Sequence, residues 1–207
     1  MAQAQSTPGS IEATAPAARV EASAVAAGKE ANPAPLGLAG FAITTFLLSL
    51  VNAGVFDSTL SVTLALALMY GGIAQLLAGM WEFKNGNTFG ATAFSSFGAF
   101  WLSFVAYAFI FGGKDSTALA WYLLAWGFFT FYMWIATLKG DRPVMVVFLL
   151  LWITYLLLAI GGFNNAGPGV GLTAIGGYLG ILTALAAWYA SARGVINPAW
   201  GRVVLPG

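Results

Sequence analysis

Few side chains in this chain could do chemistry. Among its 207 residues there is no histidine and no cysteine. That removes the commonest general base, the commonest metal ligand, thiol nucleophiles and disulfides. The Asp and Glu residues are scattered among the N-terminal tail and the breaks between apolar runs, and without His or Cys no nucleophile–base pair of the usual kind can be assembled. Neither an enzyme nor a bound cofactor is expected. No formal charge falls in the middle of an apolar run, which argues against a retinal lysine, a proton pump with buried carboxylates and metal-dependent intramembrane proteolysis. What remains are neutral polar groups inside apolar runs, Thr44, Thr45 and Gln75, with Glu82, Asn87 and Thr88 at a break. These suit contacts along a passage for a small solute.

Each of these groups has a plainer reading beside the functional one. The Gln75 amide needs a partner or water in an apolar run, and either an interhelical hydrogen bond or a position lining a pore would supply it. Asn87 and Thr88 can cap a following helix, whose first amides could also attract an anion. Glu82 is either a solvated interfacial carboxylate paired with Lys84 or Lys139, or a proton-carrying group. Phe94, Phe97, Trp101 and Phe104 form a stripe at helical spacing that serves as core, as lipid contact or as a hydrophobic constriction. Trp121, Tyr122 and Trp188 read as interfacial anchors. The pairs Gly86/Gly90, Gly167/Gly171 and Gly176/Gly180 have the spacing at which helix backbones approach closely.

The elements that must position these groups follow from composition. The chain is 59% hydrophobic and 7% charged, against roughly 25% charged in soluble domains. This is an all-α integral membrane protein. Stretches of about 20 apolar residues predict six transmembrane helices, near Leu36 to Val55, Thr59 to Trp81, Thr88 to Phe111, Ala118 to Leu138, Pro143 to Gly161 and Gly169 to Ala192. Three regions result: a disordered tail over residues 1–31, a six-helix domain over 32–196 and a C-terminal tail over 197–207. Six crossings put both termini on one side. That side then carries Arg19, Lys29, Lys84, Lys139, Arg142, Arg193 and Arg202, and the other carries Lys114. The positive-inside rule makes the termini cytoplasmic in a cell membrane. A net charge of +1 without clustered Lys or Arg gives no footprint for nucleic acid.

Where the polar tail meets the first apolar run stands Asn32-Pro33-Ala34-Pro35-Leu36-Gly37-Leu38. Two prolines one residue apart disfavour helix upstream, and Pro35 suits the first turn of the helix that follows. The stretch fixes where that helix starts.

Read together, several ordered motifs go further. Asn32 to Leu38 is followed by Ala39-Gly40-Phe41; then come Tyr70-Gly71-Gly72-Ile73-Ala74-Gln75, Gly86-Asn87-Thr88-Phe89-Gly90, Thr92-Ala93-Phe94, Thr137-Leu138-Lys139-Gly140 and a Gly201 to Pro206 tail. This set resembles the acetate uptake transporter family, the bacterial succinate-acetate/proton symporters with their fungal acetate and ammonia-export relatives. The resemblance implies a six-helix protomer similar in fold to the bacterial urea channels, assembled as a homohexamer with one pathway per protomer. It implies acetate and other small monocarboxylates as substrates, succinate among the candidates, moved with a proton or as the neutral acid. It also assigns Phe41, Phe97 and Leu151 to an apolar constriction. Phe97 stands where bacterial relatives can carry Tyr, and the missing hydroxyl removes one hydrogen bond that a carboxylate could use.

Around such a constriction, Thr44, Thr45, Gln75, Asn87 and Thr88 are the polar candidates. The opening motif Asn32, Pro33, Pro35 and Gly37 would guide or seal the cytoplasmic end, with Glu82 as the proton-linked candidate. A channel for neutral solutes such as urea, ammonia or water is the competing reading, and a membrane scaffold without transport is a third.

Overall fold

In hydrocarbon a chain must satisfy its own backbone N–H and C=O groups, so each long apolar run becomes a helix. The computed structural model describes residues 30–56, 60–113 and 115–207. The expected disordered tail, apart from its last two residues, lies outside the described residues, as do Asp57, Ser58, Thr59 and Lys114. The helices are α1 (Ala34–Asn52), α2 (Leu60–Leu66), a π-helical segment (Ala67–Ala74), α3 (Gln75–Lys84), α4 (Thr88–Phe109), α5 (Ser116–Thr137), α6 (Arg142–Phe163) and α7 (Gly171–Trp200). With α2, the π segment and α3 taken as one span, six spans among the described residues are long and apolar enough to cross a membrane. There are no strands among these residues.

The start points come from the residues at the breaks. Asn87, Asp115 and Asp141 each cap the helix that follows, accepting from the amides of Gly90 (3.1 Å), Ala118 (2.9 Å) and Val144 (3.2 Å). At α1 the opening motif does the same work by other means. Pro33 takes the N-cap position with Pro35 in the first turn, and the Asn32 side chain accepts from the Ala34 amide at 3.0 Å. Most ends differ from the sequence expectation by a few residues, as fraying termini and caps allow.

Two differences are larger. The Tyr70-Gly71-Gly72 stretch is π-helical, where an unbroken α-helix was expected. Close approach on both sides accompanies this wide turn. A Cβ on Gly71 would lie 2.7 Å from Thr44 Oγ1, and one on Gly72 would lie 2.6 Å from Leu102. The last helix also runs past the expected Ala192 to Trp200, so the boundary drawn at 197 falls inside it. Pro198 sits in the last turn of this helix, and Gly201, in the left-handed region at φ 60°, ends it. The chain then folds back. Asn197 accepts from the amides of Val204 (2.8 Å) and Leu205 (2.9 Å) and donates to the Leu205 carbonyl, while the Tyr189 hydroxyl donates to the Pro206 carbonyl at 2.6 Å.

Asn32–Gly207 form one compact unit. Within it α1 packs along α7, α7 along α6 and α6 along α5, while α3 and the π segment pack on α4 and α1. Small residues make the α1–α7 contact close: a Cβ on Gly177 would stand 2.3 Å from the Ala53 nitrogen, and one on Gly180 would meet Ser49. Of the expected interfacial anchors, Trp121 is exposed, whereas Tyr122 donates to the Phe100 carbonyl and Trp188 packs on Phe46.

Candidate functional site

Three facing helices bring Phe41, Phe97 and Leu151 into one buried layer. Phe41 comes from α1, Phe97 from the middle of α4 and Leu151 from α6, and they are 4%, 3% and 4% exposed. The Phe41 and Phe97 rings lie 5.7 Å apart, and Phe148, one turn before Leu151 on α6, closes on Phe97 at 6.0 Å. These side chains converge because each sits at the helix position that faces the bundle interior.

A cavity lies at either end of this layer. The proximal one, about 440 Å³, sits at the N-terminal end of α1 and is lined by Asn32, Pro35, Leu38, Glu82, Asn87 and Phe94, among others. The distal one, about 240 Å³, is lined by Thr45, Ser49, Trp101, Leu151, Thr154 and Tyr155, among others. Along each helix the order is the same. Phe41 falls between Leu38 and Thr45, and Phe97 between Phe94 and Phe100; on α6 the change from proximal to distal lining comes between Phe148 and Leu151.

The polar candidates divide around this layout. Thr45 lines the distal cavity and its hydroxyl has no hydrogen-bond partner. Asn87 lines the proximal cavity; besides capping α4 it donates to Glu82 Oε2 at 2.9 Å. Thr88 is the exposed first residue of α4 and lines neither cavity. Thr44 is buried, donates to the Gly40 carbonyl at 2.9 Å and packs on Gly71, so it serves the α1 contact with the π segment. Gln75, 1% exposed, follows that segment and also stands outside both cavities, with its Oε1 unpartnered. In the opening motif, Asn32 and Pro35 line the proximal cavity, Pro33 is buried, and Gly37 lies against the Phe94 ring, where a Cβ would come within 2.6 Å. The Ser191 hydroxyl donates to the Pro35 carbonyl at 2.7 Å, tying the motif to α7.

Glu82 departs from its solvated reading. Its side chain is 2% exposed, one oxygen is held by Asn87 and the other has no partner. The room it occupies exists because residue 90 is glycine: a Cβ there would stand 2.7 Å from Glu82 Cδ. A carboxyl group near the end of a span reads from sequence as surface, and only the packing of α3 on α4 shows it inside.

Sequence reasoning also missed residues. Arg193 on α7 forms an ion pair with Asp141, the α6 cap, and both line the proximal cavity. Tyr155 lines the distal one. Its signal was present, since it stands one helical turn beyond Leu151 on the same face. Among the described residues there is no group of acidic side chains that could hold a metal ion.

Two cavities flank a buried apolar layer inside one bundle, and its six long apolar helices make this a membrane protein. The chain belongs to the GPR1/FUN34/yaaH family, whose profile matches residues 15–206. It is 43% identical over 183 residues to the succinate-acetate/proton symporter SatP of Escherichia coli K12, covering 86% of this chain and 95% of that protein. It is 46% identical over 178 residues to ammonia transport outward protein 2 of Saccharomyces cerevisiae, covering 81% of this chain and 62% of that protein. The solved structure of the bacterial acetate channel SatP superposes with a TM-score of 0.81 at 43% identity, covering 86% of this chain and 99% of that one. These named relatives are transporters and channels, not enzymes.

Proposed function

We propose that the protein is a conduit for acetate and related small monocarboxylates, succinate included, with one pathway inside each protomer of a homohexamer. The observation that carries this reading is the layer of Phe41, Phe97 and Leu151 between two cavities that both contain polar groups. A carboxylate would have to shed its water to cross such a layer, at a high free-energy cost. The neutral acid, with a carboxyl pKa of about 4 to 5, avoids that cost. The solute therefore crosses as the acid, or with a proton supplied at the layer.

Phe41, Phe97 and Leu151 act as the gate in this reading. Glu82, buried beside the proximal cavity with one free oxygen, is the proton-linked group, and Asn87 holds it in place. Asn32 and Pro35 form the proximal mouth. Lys84 and Arg142 end or begin helices at that same end, which supports reading it as the cytoplasmic side of a cell membrane, with both termini there. Exposed apolar side chains such as Phe128, Ile175 and Leu182 offer faces for lipid and neighbouring protomers.

A second reading, a channel for ammonia, urea or water, draws on the yeast relative named for ammonia transport. Proteoliposome flux separates the two. The monocarboxylate reading expects saturable uptake of labelled acetate, competed by propionate, lactate and succinate, above that of protein-free vesicles. Faster swelling in urea or ammonia with no protein-dependent acetate uptake would favour the second.

A further inference from the structure

The loop between α6 and α7, residues 164–170, roofs the distal cavity. Its Ala166 and Pro168 line that cavity together with Asn52 at the end of α1 and Ser116 at the start of α5. The roots of the loop are fixed. A Cβ on Gly161, near the end of α6, would collide with Thr173 Oγ1 on α7, and one on Gly162 would stand 3.0 Å from Ala120 on α5. Thr173 Oγ1 donates in turn to the Ala166 carbonyl at 2.7 Å, and the Ala166 amide donates to the Gly161 carbonyl at 2.9 Å.

The crown of the loop is packed differently. Asn165, Pro168 and Gly169 are exposed, and a Cβ on Gly167 or Gly171 would meet open space. Two hydrogen bonds among the described residues tie this crown to helices that the loop does not join. The Gly169 amide donates to the Asn52 carbonyl at 3.0 Å, and Ser116 Oγ donates to Asn165 Oδ1 at 3.0 Å. Asn165 makes its bond from the left-handed region, at φ 51°, the one non-glycine residue there among those described. Asn tolerates that backbone better than most residue types. Both partners in the side-chain bond are neutral and exposed, so water competes for each and the net gain from pairing them is small. A contact of this kind opens and re-forms while the roots stay in place.

We propose that residues 164–170 form a lid on the distal cavity, latched by the hydrogen bond between Ser116 and Asn165, whose breaking admits solvent and small solutes from the distal face. The lid is a second closure, separate from the layer of Phe41, Phe97 and Leu151. It stands whichever solute the pathway carries.

Ser116→Ala removes the donor of the latch, and Asn165→Gly removes its acceptor while leaving the left-handed backbone unstrained. The chain has no cysteine, so Thr154→Cys, at a position 4% exposed on the wall of the distal cavity, supplies a single reporter thiol. The readout is its rate of modification by a charged methanethiosulfonate reagent in the detergent-solubilised full chain. No solute has to be transported, so the result decides the lid apart from the proposed function. Either latch variant should raise the rate roughly threefold to tenfold, the change in open population that follows from losing one neutral hydrogen bond. The two combined should raise it no further than the greater of them alone. Thr137→Cys, at a position 5% exposed on the proximal cavity, is the control and should react at one rate in every background. Unchanged modification at Thr154→Cys in both latch variants would overturn the lid. Equal increases at the two cysteine positions would mean a general loosening of the bundle and overturn it as well.

Discussion

The ring of Phe41 on α1 lies 5.7 Å from the ring of Phe97 on α4, and both are almost wholly buried. In the proposed pathway, both helices are needed to form the apolar layer. The contact joins the end of the protein that carries the opening motif to the helix capped by Asn87, and it stands where proximal lining gives way to distal lining.

Glu82 is the group whose removal should separate flux from its driving force. Glu82→Gln keeps an oxygen to accept from Asn87 and loses the proton site. Wild-type vesicles acidified outside should accumulate labelled acetate. The variant should exchange labelled for unlabelled acetate but not accumulate it. Equal accumulation by both, after subtraction of protein-free vesicles, would remove Glu82 from the proton path.

Asp141 holds two jobs that substitution can pull apart. Asp141→Asn keeps a good cap for α6 but weakens the pair with Arg193, whose side chains are 27% and 32% exposed. Partly exposed ion pairs are worth roughly 0–1 kcal/mol, so thermal unfolding in detergent should shift little. Asp141→Ala also loses the cap and should cost about 1 kcal/mol more. Identical melting of the two variants would contradict this division.

Two glycines are required for different reasons. Gly177→Ala would drive a Cβ into the α1 backbone, 2.3 Å from the Ala53 nitrogen, and should cost about 1–3 kcal/mol through overpacking. Gly86 has open space around it but a φ of 70°, so Gly86→Ala strains only the turn before α4, by about 1 kcal/mol. Melting curves that rank the second variant as the less stable would show that the α1–α7 contact is looser than described.

Much of the fold was legible because membrane spans announce themselves. Long apolar runs broken by short polar stretches mark the helices, and Asn87 marks one cap; that Asp115 and Asp141 cap the next two comes from the structure. The end of α7 was not, because Asn197-Pro198 has the composition of a turn, and only the tail folding back onto Asn197 shows why the helix continues. The π segment was equally hidden: Gly71 and Gly72 stood out only within a family motif, and the change of helical pitch that goes with their close packing has no residue code. At the site, Phe41, Phe97 and Leu151 came from the family resemblance. Their adjacency is long-range, as is the burial of Glu82 under Gly90. Gln75 is the converse case, a polar residue that sequence could place on a pore and packing sets outside the cavities.

The central claim is that small monocarboxylates cross through the layer closed by Phe41, Phe97 and Leu151, and labelled acetate flux in proteoliposomes tests it most directly. Leu151→Ala trims the layer on its distal side. With the variant folded and reconstituted at the same density, acetate uptake or leak should rise severalfold over wild type. Flux equal to that of wild type, with the protein intact, would contradict the account.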